Sequence, residues 1–288
     1  RIKMKKIISL IMVLTLLFSM TSFAYSVDFE GITGSHVTVN EYEMIKNVKN
    51  RSFAELEKLG YDETEINHIK DLNYIQELKK RSNNSYHELL KLGYTDSQIK
   101  LLKSLDSYDV IPEEVLLLSS AEVTIIHDVD GTTVNSNGTV INISFSWNWT
   151  QKPIFTFNDA VGFSWSGDYI CHEDTVQAEI DYAIGTSIIE TVDFSDDMIG
   201  EISPGTNGVG FDFNMIRGVP PVTEWAKSGR GSFTLVCYEH EHNNVQLAAK
   251  YGHSIFNISS IGITYGAPSI SFEIGVETAD SYVDTYNF

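Results

Sequence analysis

The chain has 288 residues, with 20 Lys and Arg against 39 Asp and Glu, a formal net charge of −19. A surface this acidic repels phosphate backbones and anionic headgroups, which excludes nucleic acid as an expected partner. It suits calcium, cationic partners or neutral glycans.

The first residues carry a lysine-bearing head, an apolar run from Ile7 to Phe18 and the small-x-small triplet Ser22-Phe23-Ala24. This is the layout of a secretory signal peptide, so residues 1–24 are expected to be removed and the protein to be secreted or held at the cell surface. The run falls short of the roughly 20 apolar residues that span a bilayer as a helix. Residues 25–45 are expected to be a flexible N-terminal segment.

Residues 46–120 read as helix and contain an internal repeat. "SFAELEKLGYDETEINHIKDL" from Ser52 returns as "SYHELLKLGYTDSQIKLLKSL" from Ser85, an offset of 33. The cap chemistry repeats with it. Ser52 with Glu55 and Ser85 with Glu88 are Ser-x-x-Glu capping boxes, and Gly60 and Gly93 stand where a helix ends in a left-handed residue. Asp62 with Glu65 and Thr95 with Gln98 then start a second helix. Each unit is expected to be helix, Gly-Tyr turn, helix. Leu56, Leu59, Ile66 and Ile69 recur as Leu89, Leu92, Ile99 and Leu102 and supply one apolar face. Pro112 fits the first turn of a short linker helix that ends before Ser119.

From residue 121 the pattern becomes short alternating runs. "TVINISFSWNWT", "SFTLVCYEHEH", "VQLAAKYGHSI" and "SISFEIGVET" read as strands, with "DVDG", "NSNG", "SPGTNG" and "SGRG" as turns between them. The expected fold is therefore α+β over the chain: a small α-helical repeat module, then an all-β antiparallel sandwich of jelly-roll type over residues 121–288. Its inner faces would use Ile141, Ile143, Phe145, Trp147, Phe233, Leu235 and Ile274. Ser232–His242 and Val245–Ser254 are expected to form one hairpin about Asn243-Asn244.

Several residues are candidates for chemistry. Cys171 and Cys237 are expected to form a disulfide, as export favours. His240 and His242 share a strand face and are candidate zinc ligands, with His172, Glu173 and Asp174 completing a composite site if the cysteines are bonded. Asp128 and Asp130, with Asn135 and Asn137, are candidate calcium ligands in a loop. Acidic pairs at i, i+2 occur at Glu179/Asp181 and Glu239/Glu241 and are the candidate catalytic carboxylates of a glycosidase. The run "EIDYAI" at 179–184 resembles the Glu-x-Asp-x-x-Glu strand of a laminarinase-like group, with Ile184 in place of its third carboxylate. Trp225 is the candidate ligand-binding ring, as the tryptophan expected nearest solvent.

No nucleophile elbow, His-Glu-x-x-His or phosphate loop occurs, so the reading leans away from an enzyme. The function expected is binding to a glycan or protein at or outside the cell surface. The rivals are a carbohydrate-active hydrolase and a membrane-inserting β-protein. Membrane insertion is disfavoured because Asp284 interrupts the apolar face of the terminal "SYVDTYNF".

Overall fold

Asn40 marks the first boundary in the chain. Strand β1 (Ser35–Asn40) ends there, and the Asn40 side chain accepts the Tyr42 N–H at 3.0 Å to cap helix α1 (Glu41–Asn50). The computed structural model describes residues 34–135, 138–194, 200–205, 207–219, 222–238, 242–255, 263–266, 268–272, 276–278 and 282–288. The expected signal peptide lies outside these residues, as does Ile274. The segment 25–45, expected to be flexible, instead forms strand and helix from Ser35 onward. The Glu41 N–H bonds the Ala121 carbonyl at 2.9 Å, and β1 pairs antiparallel with the first long strand.

The helices after α1 are α2 (Phe53–Lys58), α3 (Glu63–Asp71), α4 (Tyr74–Ser82), α5 (Tyr86–Lys91), α6 (Asp96–Lys103) and α7 (Glu113–Ser119). All four expected capping boxes are present, at Ser52/Glu55, Asp62/Glu65, Ser85/Glu88 and Thr95/Gln98. Gly60 and Gly93 end α2 and α5 at φ of 98° and 93°, where a side chain would be strained. Each helix-turn-helix is preceded by a further helix, α1 or α4, that the sequence reading did not include. Lys70 Nζ donates to the carbonyls of Lys49 and Arg51, and Lys103 Nζ donates to those of Ser82 and Asn84. Donors and acceptors alike are 33 apart. A lysine from the third helix of each segment thus satisfies carbonyls that the end of the first helix leaves open. Leu56, Ile66, Ile69, Leu89, Ile99 and Leu102 lie at 0–2 % exposure in one apolar cluster, which Ile255 joins from the β-region.

The strands are β2 (Glu122–Asn135), β3 (Gly138–Trp149), β4 (Asn158–Trp165), β5 (Ile170–Ile184), β6 (Ser187–Asp193), β7 (Gly200–Gly205), β8 (Gly208–Asn214) and β9 (Ile216–Val219). They continue as β10 (Val222–Tyr238), β11 (Asn244–Ser254), β12 (Ile263–Gly266), β13 (Ser269–Phe272), β14 (Val276–Thr278) and β15 (Tyr282–Asn287). A seven-stranded antiparallel sheet runs β1-β2-β3-β10-β5-β6, with β9 also on β10. A six-stranded antiparallel sheet runs β14-β11-β4-β8-β7, with β15 also on β11. Their facing side chains share one core. Phe145 of the first sheet meets Phe163 of the second at 4.5 Å between ring centroids, and Trp147 stacks on Phe213 at 4.7 Å. Such ring pairs add about 0.5–1.5 kcal/mol beyond simple burial.

Three sequence expectations change here. β10 and β11 are not a hairpin: β10 lies in the seven-stranded sheet and β11 in the other, so the chain between them crosses from sheet to sheet. "SGRG" is not a turn but the middle of β10. Gly229 and Gly231 sit opposite Trp147 and Phe145, and an added Cβ would lie 2.7 and 2.5 Å from those rings, so the glycines make room for them. "DVDG" lies inside β2, at a bulge between Val129 and Gly131.

The hairpin β12–β13 packs on the six-stranded sheet over a floor of glycines. A Cβ added at Gly208 would lie 2.0 Å from the Tyr265 ring, and one at Gly210 2.2 Å from Ile263. Gly208 and Gly210 of "GVGFDF" therefore make room for side chains of this hairpin.

Candidate functional site

Register across the seven-stranded sheet determines what its outer face presents. Thr124, Asn148, Ser228, Asp181 and Thr191 stand side by side on β2, β3, β10, β5 and β6. Ile126, Ser146, Arg230, Glu179 and Asp193 form the next row, and Asp128, Ser144, Ser232 and Gln177 the next. Strand alternation sends Ile125, Trp147, Ile180 and Phe233 to the core and leaves these rows, polar but for Ile126, on the other side. Asn142, Gln177 and Arg230 are exposed, and Thr124, Ser144, Ser232 and Thr234 half-buried. The result is a polar face of hydroxyls, amides and carboxylates in which Ser146, Asn148, Ser228 and Asp181 are buried beside one exposed guanidinium.

That guanidinium holds the expected acidic pair. Arg230 Nε pairs with Glu179, and its Nη1 lies 3.5 Å from Asp181 Oδ2. Asp181 also accepts from Thr191 Oγ1 at 2.6 Å and Ser228 Oγ at 2.9 Å, and its side chain is 8 % exposed. A carboxylate so saturated with donors is fixed in place and has little freedom to attack. The other acidic pair, Glu239 and Glu241, lies outside the described residues, as does His240.

Cys171 and Cys237 are both free and buried, which corrects the expected disulfide. Register supplies the reason: Cys171 stands opposite Leu235, two residues short of Cys237. Such diagonal neighbours have Cα atoms roughly 7–8 Å apart, whereas bridged cysteines need about 5.5 Å. Burial, with the nearby Glu173 charge adding to it, pushes the Cys171 thiol up to about 11. The segments do lie side by side, and the His172 Nε2 is 2.9 Å from the Tyr238 hydroxyl. His242 is placed differently: its N–H donates to Thr139 Oγ1 at 2.9 Å and its ring lies 5.2 Å from that of Tyr169.

Asp128 and Asp130 are strand residues, not loop residues, because β2 continues to Asn135. Asp128 accepts the N–H of Val129 and Asp130 accepts from Ser144 Oγ. Asn137 lies outside the described residues. Among the described residues no three His, Cys, Asp or Glu side chains are grouped to hold a metal ion. Trp225 is 2 % exposed, with its indole N–H on the Gly185 carbonyl at 2.9 Å, which corrects its assignment as a solvent-facing ring. The aromatics of the terminal strand turn inward as well: Tyr286 and Phe288 pack on the core, and the Tyr286 hydroxyl is 2.9 Å from His127 Nδ1.

One charged cluster escaped the sequence reading. Glu41, Asp159 and His253 are fully buried where the helices meet the sheets. His253 Nδ1 is 2.7 Å from Asp159 Oδ1, and its Nε2 is 3.4 Å from Glu41 Oε1. Asp159 accepts from Tyr251, whose hydroxyl accepts from Trp149 Nε1. Glu41 accepts from Tyr74 at 2.7 Å and from the N–H groups of Ile154 and Phe155 at 3.0 and 2.9 Å. Burial alone would lower the imidazole, but Asp159 and then Glu41 push it up to about 10. Burial alone would raise Glu41, but His253 and the two backbone donors hold it below its ordinary value. With no solvent access, this cluster serves as a joint between the helices and the sheets. Its members are 118 or more residues apart in part, and no local pattern joins Glu41 to Asp159 or His253.

No family model matches the chain, and no curated protein matches it. Among solved structures, the collagen-binding subdomain of the Enterococcus faecalis surface protein ACE aligns at 9 % identity, over 55 % of this chain and 90 % of its own, with a TM-score of 0.28. The collagen-binding domain of a Staphylococcus aureus adhesin aligns at 7 %, over 56 % and 95 %, with a TM-score of 0.33. The T6 backbone pilin of Streptococcus pyogenes aligns at 14 %, over 57 % and 35 %, with a TM-score of 0.32. TM-scores of this size do not make these proteins relatives of the chain, and its function is argued from its own residues.

Proposed function

We propose that the protein is an exported binding module, a helical repeat unit joined to a β-sandwich, and that it binds a protein at or outside the cell surface. The observation that carries the reading is the outer face of the seven-stranded sheet. Arg230, whose side chain is 55 % exposed, stands among serine hydroxyls of adjacent strands on one side and its carboxylate partners Glu179 and Asp181 on the other. Such a face offers many hydrogen bonds at little side-chain entropy loss, which suits recognition. The leader-like residues 1–24 and the acidic composition support export. A hydrolase is less well served, because Glu179 and Asp181 are tied to Arg230 rather than aimed into a cleft.

The test is binding of the full chain to immobilised matrix proteins, collagen among them, beside a glycan array. Ser144→Arg and Ser232→Arg place bulk on the face without touching the core. The expected result is saturable binding to a protein that these variants weaken by about tenfold or more, roughly the loss of one charged hydrogen bond. Binding to glycans alone would move the partner class. Polysaccharide cleavage lost in Glu179→Gln would overturn the reading in favour of a hydrolase.

A further inference from the structure

The two helical segments share a turn but use it differently. In the second, the turn after α5 is covered by the β-region. The Leu92 carbonyl accepts the Lys152 N–H at 2.9 Å, and a Cβ added at Gly93 would lie 2.9 Å from Gln151 Cα. Gln98 Nε2 donates to Gln151 Oε1 at 3.1 Å. The stretch 150–152 thus lies against Leu92, Gly93 and Gln98, with Gly93 admitting its backbone.

The first segment builds the same turn. Gly60 matches Gly93 in φ, and the Tyr61 N–H returns to the Leu56 carbonyl at 3.1 Å as the Tyr94 N–H returns to Leu89 at 3.2 Å. Both segments carry the same two capping boxes. Yet Leu59 is 48 % exposed and Lys58 and Gly60 are exposed. A leucine held out at a turn whose twin is docked is, among the described residues, an uncovered copy of an interface that the molecule already contains.

The chemistry of its partner differs in one respect. The position of Gln98 is taken by Glu65, 33 residues earlier. Glu65 Oε2 accepts the Asp62 N–H, as Gln98 Oε1 accepts the Thr95 N–H. An ionised carboxylate has no proton left to donate, so it cannot bond the Gln151 carbonyl oxygen as Gln98 does. It calls for a donor. The surroundings agree: Glu55, Glu57, Asp62, Glu63 and Glu65 flank the first turn with Lys58, whereas Glu88 and Asp96 flank the second with Lys91.

We infer that the Leu59-Gly60 turn docks a short basic segment of a partner protein. That segment lies as residues 150–152 lie on Leu92-Gly93, with a Lys or Arg at the position of Gln151. This surface is distinct from the open sheet face and does not depend on it.

The test is an NMR titration of the full chain with two synthetic peptides copying Trp149–Ile154, one unchanged and one carrying Gln151→Lys. The lysine peptide is expected to shift the amide signals of Leu59, Gly60 and Tyr61 and to bind about tenfold tighter than the unchanged one, as a charge-assisted bond to Glu65 requires. Leu59→Arg should abolish those shifts. Glu65→Gln keeps the capping box, as Gln98 does with Thr95, and should reverse the preference between the peptides. Absence of shifts at millimolar peptide, shifts centred on Gly93, or a preference unchanged in Glu65→Gln would each overturn the proposal.

Discussion

The imidazole of His253 and the carboxylate of Glu41 face each other 3.4 Å apart, both fully buried, one on the sheet and one at the first residue of a helix. Asp159 on the other side completes a charge sandwich. A buried ion group is stable only while every member is paired. This joint therefore makes the attachment of helices to sheets sensitive to pH.

His253 is raised in the folded protein to about 10, against 6.5 in an open chain. Its contribution is fully present below 6.5 and is lost as pH rises toward 10. Glu41 is lowered, so its contribution is present above 4.5 and is lost as pH falls through its folded value. Urea unfolding is expected to show a higher midpoint at about pH 6 than at about pH 9. His253→Gln should cost about 3–5 kcal/mol, since it strands two buried carboxylates, and should flatten that slope.

Glu179 and Asp181 both meet Arg230, but they differ in burial. Glu179→Ala removes a partly exposed ion pair and should change stability by at most about 1 kcal/mol. Asp181→Ala strips Thr191 and Ser228 of a shared acceptor and should cost about 1–3 kcal/mol. Equal effects in thermal unfolding would show that Asp181 is not anchored as described.

Tyr265 rests on Gly208, so Gly208→Ala should destabilise by about 1–3 kcal/mol through overpacking. In a Tyr265→Ala background the cost should fall but not vanish, because the added Cβ still lies 2.7 Å from the Phe163 carbonyl oxygen. A double-mutant cycle with no coupling would remove the hairpin from that face.

The thiols of Cys171 and Cys237 should both be alkylated after denaturation without reductant, giving the mass of two free cysteines. In the native protein both are buried and should react slowly. A thermal midpoint that falls on adding reductant would instead point to a bridge.

The helices were the most legible part of the sequence. Capping boxes and the Gly60 and Gly93 turns act between residues a few positions apart, so their chemistry is written in local order. Helices α1 and α4 have local caps at Asn40 and Asn73, but the carbonyls at their C-terminal ends are satisfied by Lys70 and Lys103, about 20 residues further along. Strand alternation placed Ile141, Ile143, Phe145, Trp147, Phe233 and Leu235 in the core, where each is 0–1 % exposed. It misread Trp225, because a strand residue beside a turn-like run looks exposed until its partner strands are known. It also misread "SGRG", where glycine signals room for Trp147 and Phe145 rather than a change of direction.

The sequence by itself determined the division into helix and strand, the caps, the acidic character and the inward set of apolar residues, because each depends on near neighbours or on composition. Only the tertiary structure decided which strands pair. That choice sends β10 and β11 to different sheets, keeps Cys171 and Cys237 two residues out of register and puts Arg230 on the acidic pair. It also brings His253 between Asp159 and Glu41. Strand pairing is settled by packing of whole faces, and a period of two residues names a face without naming its neighbour.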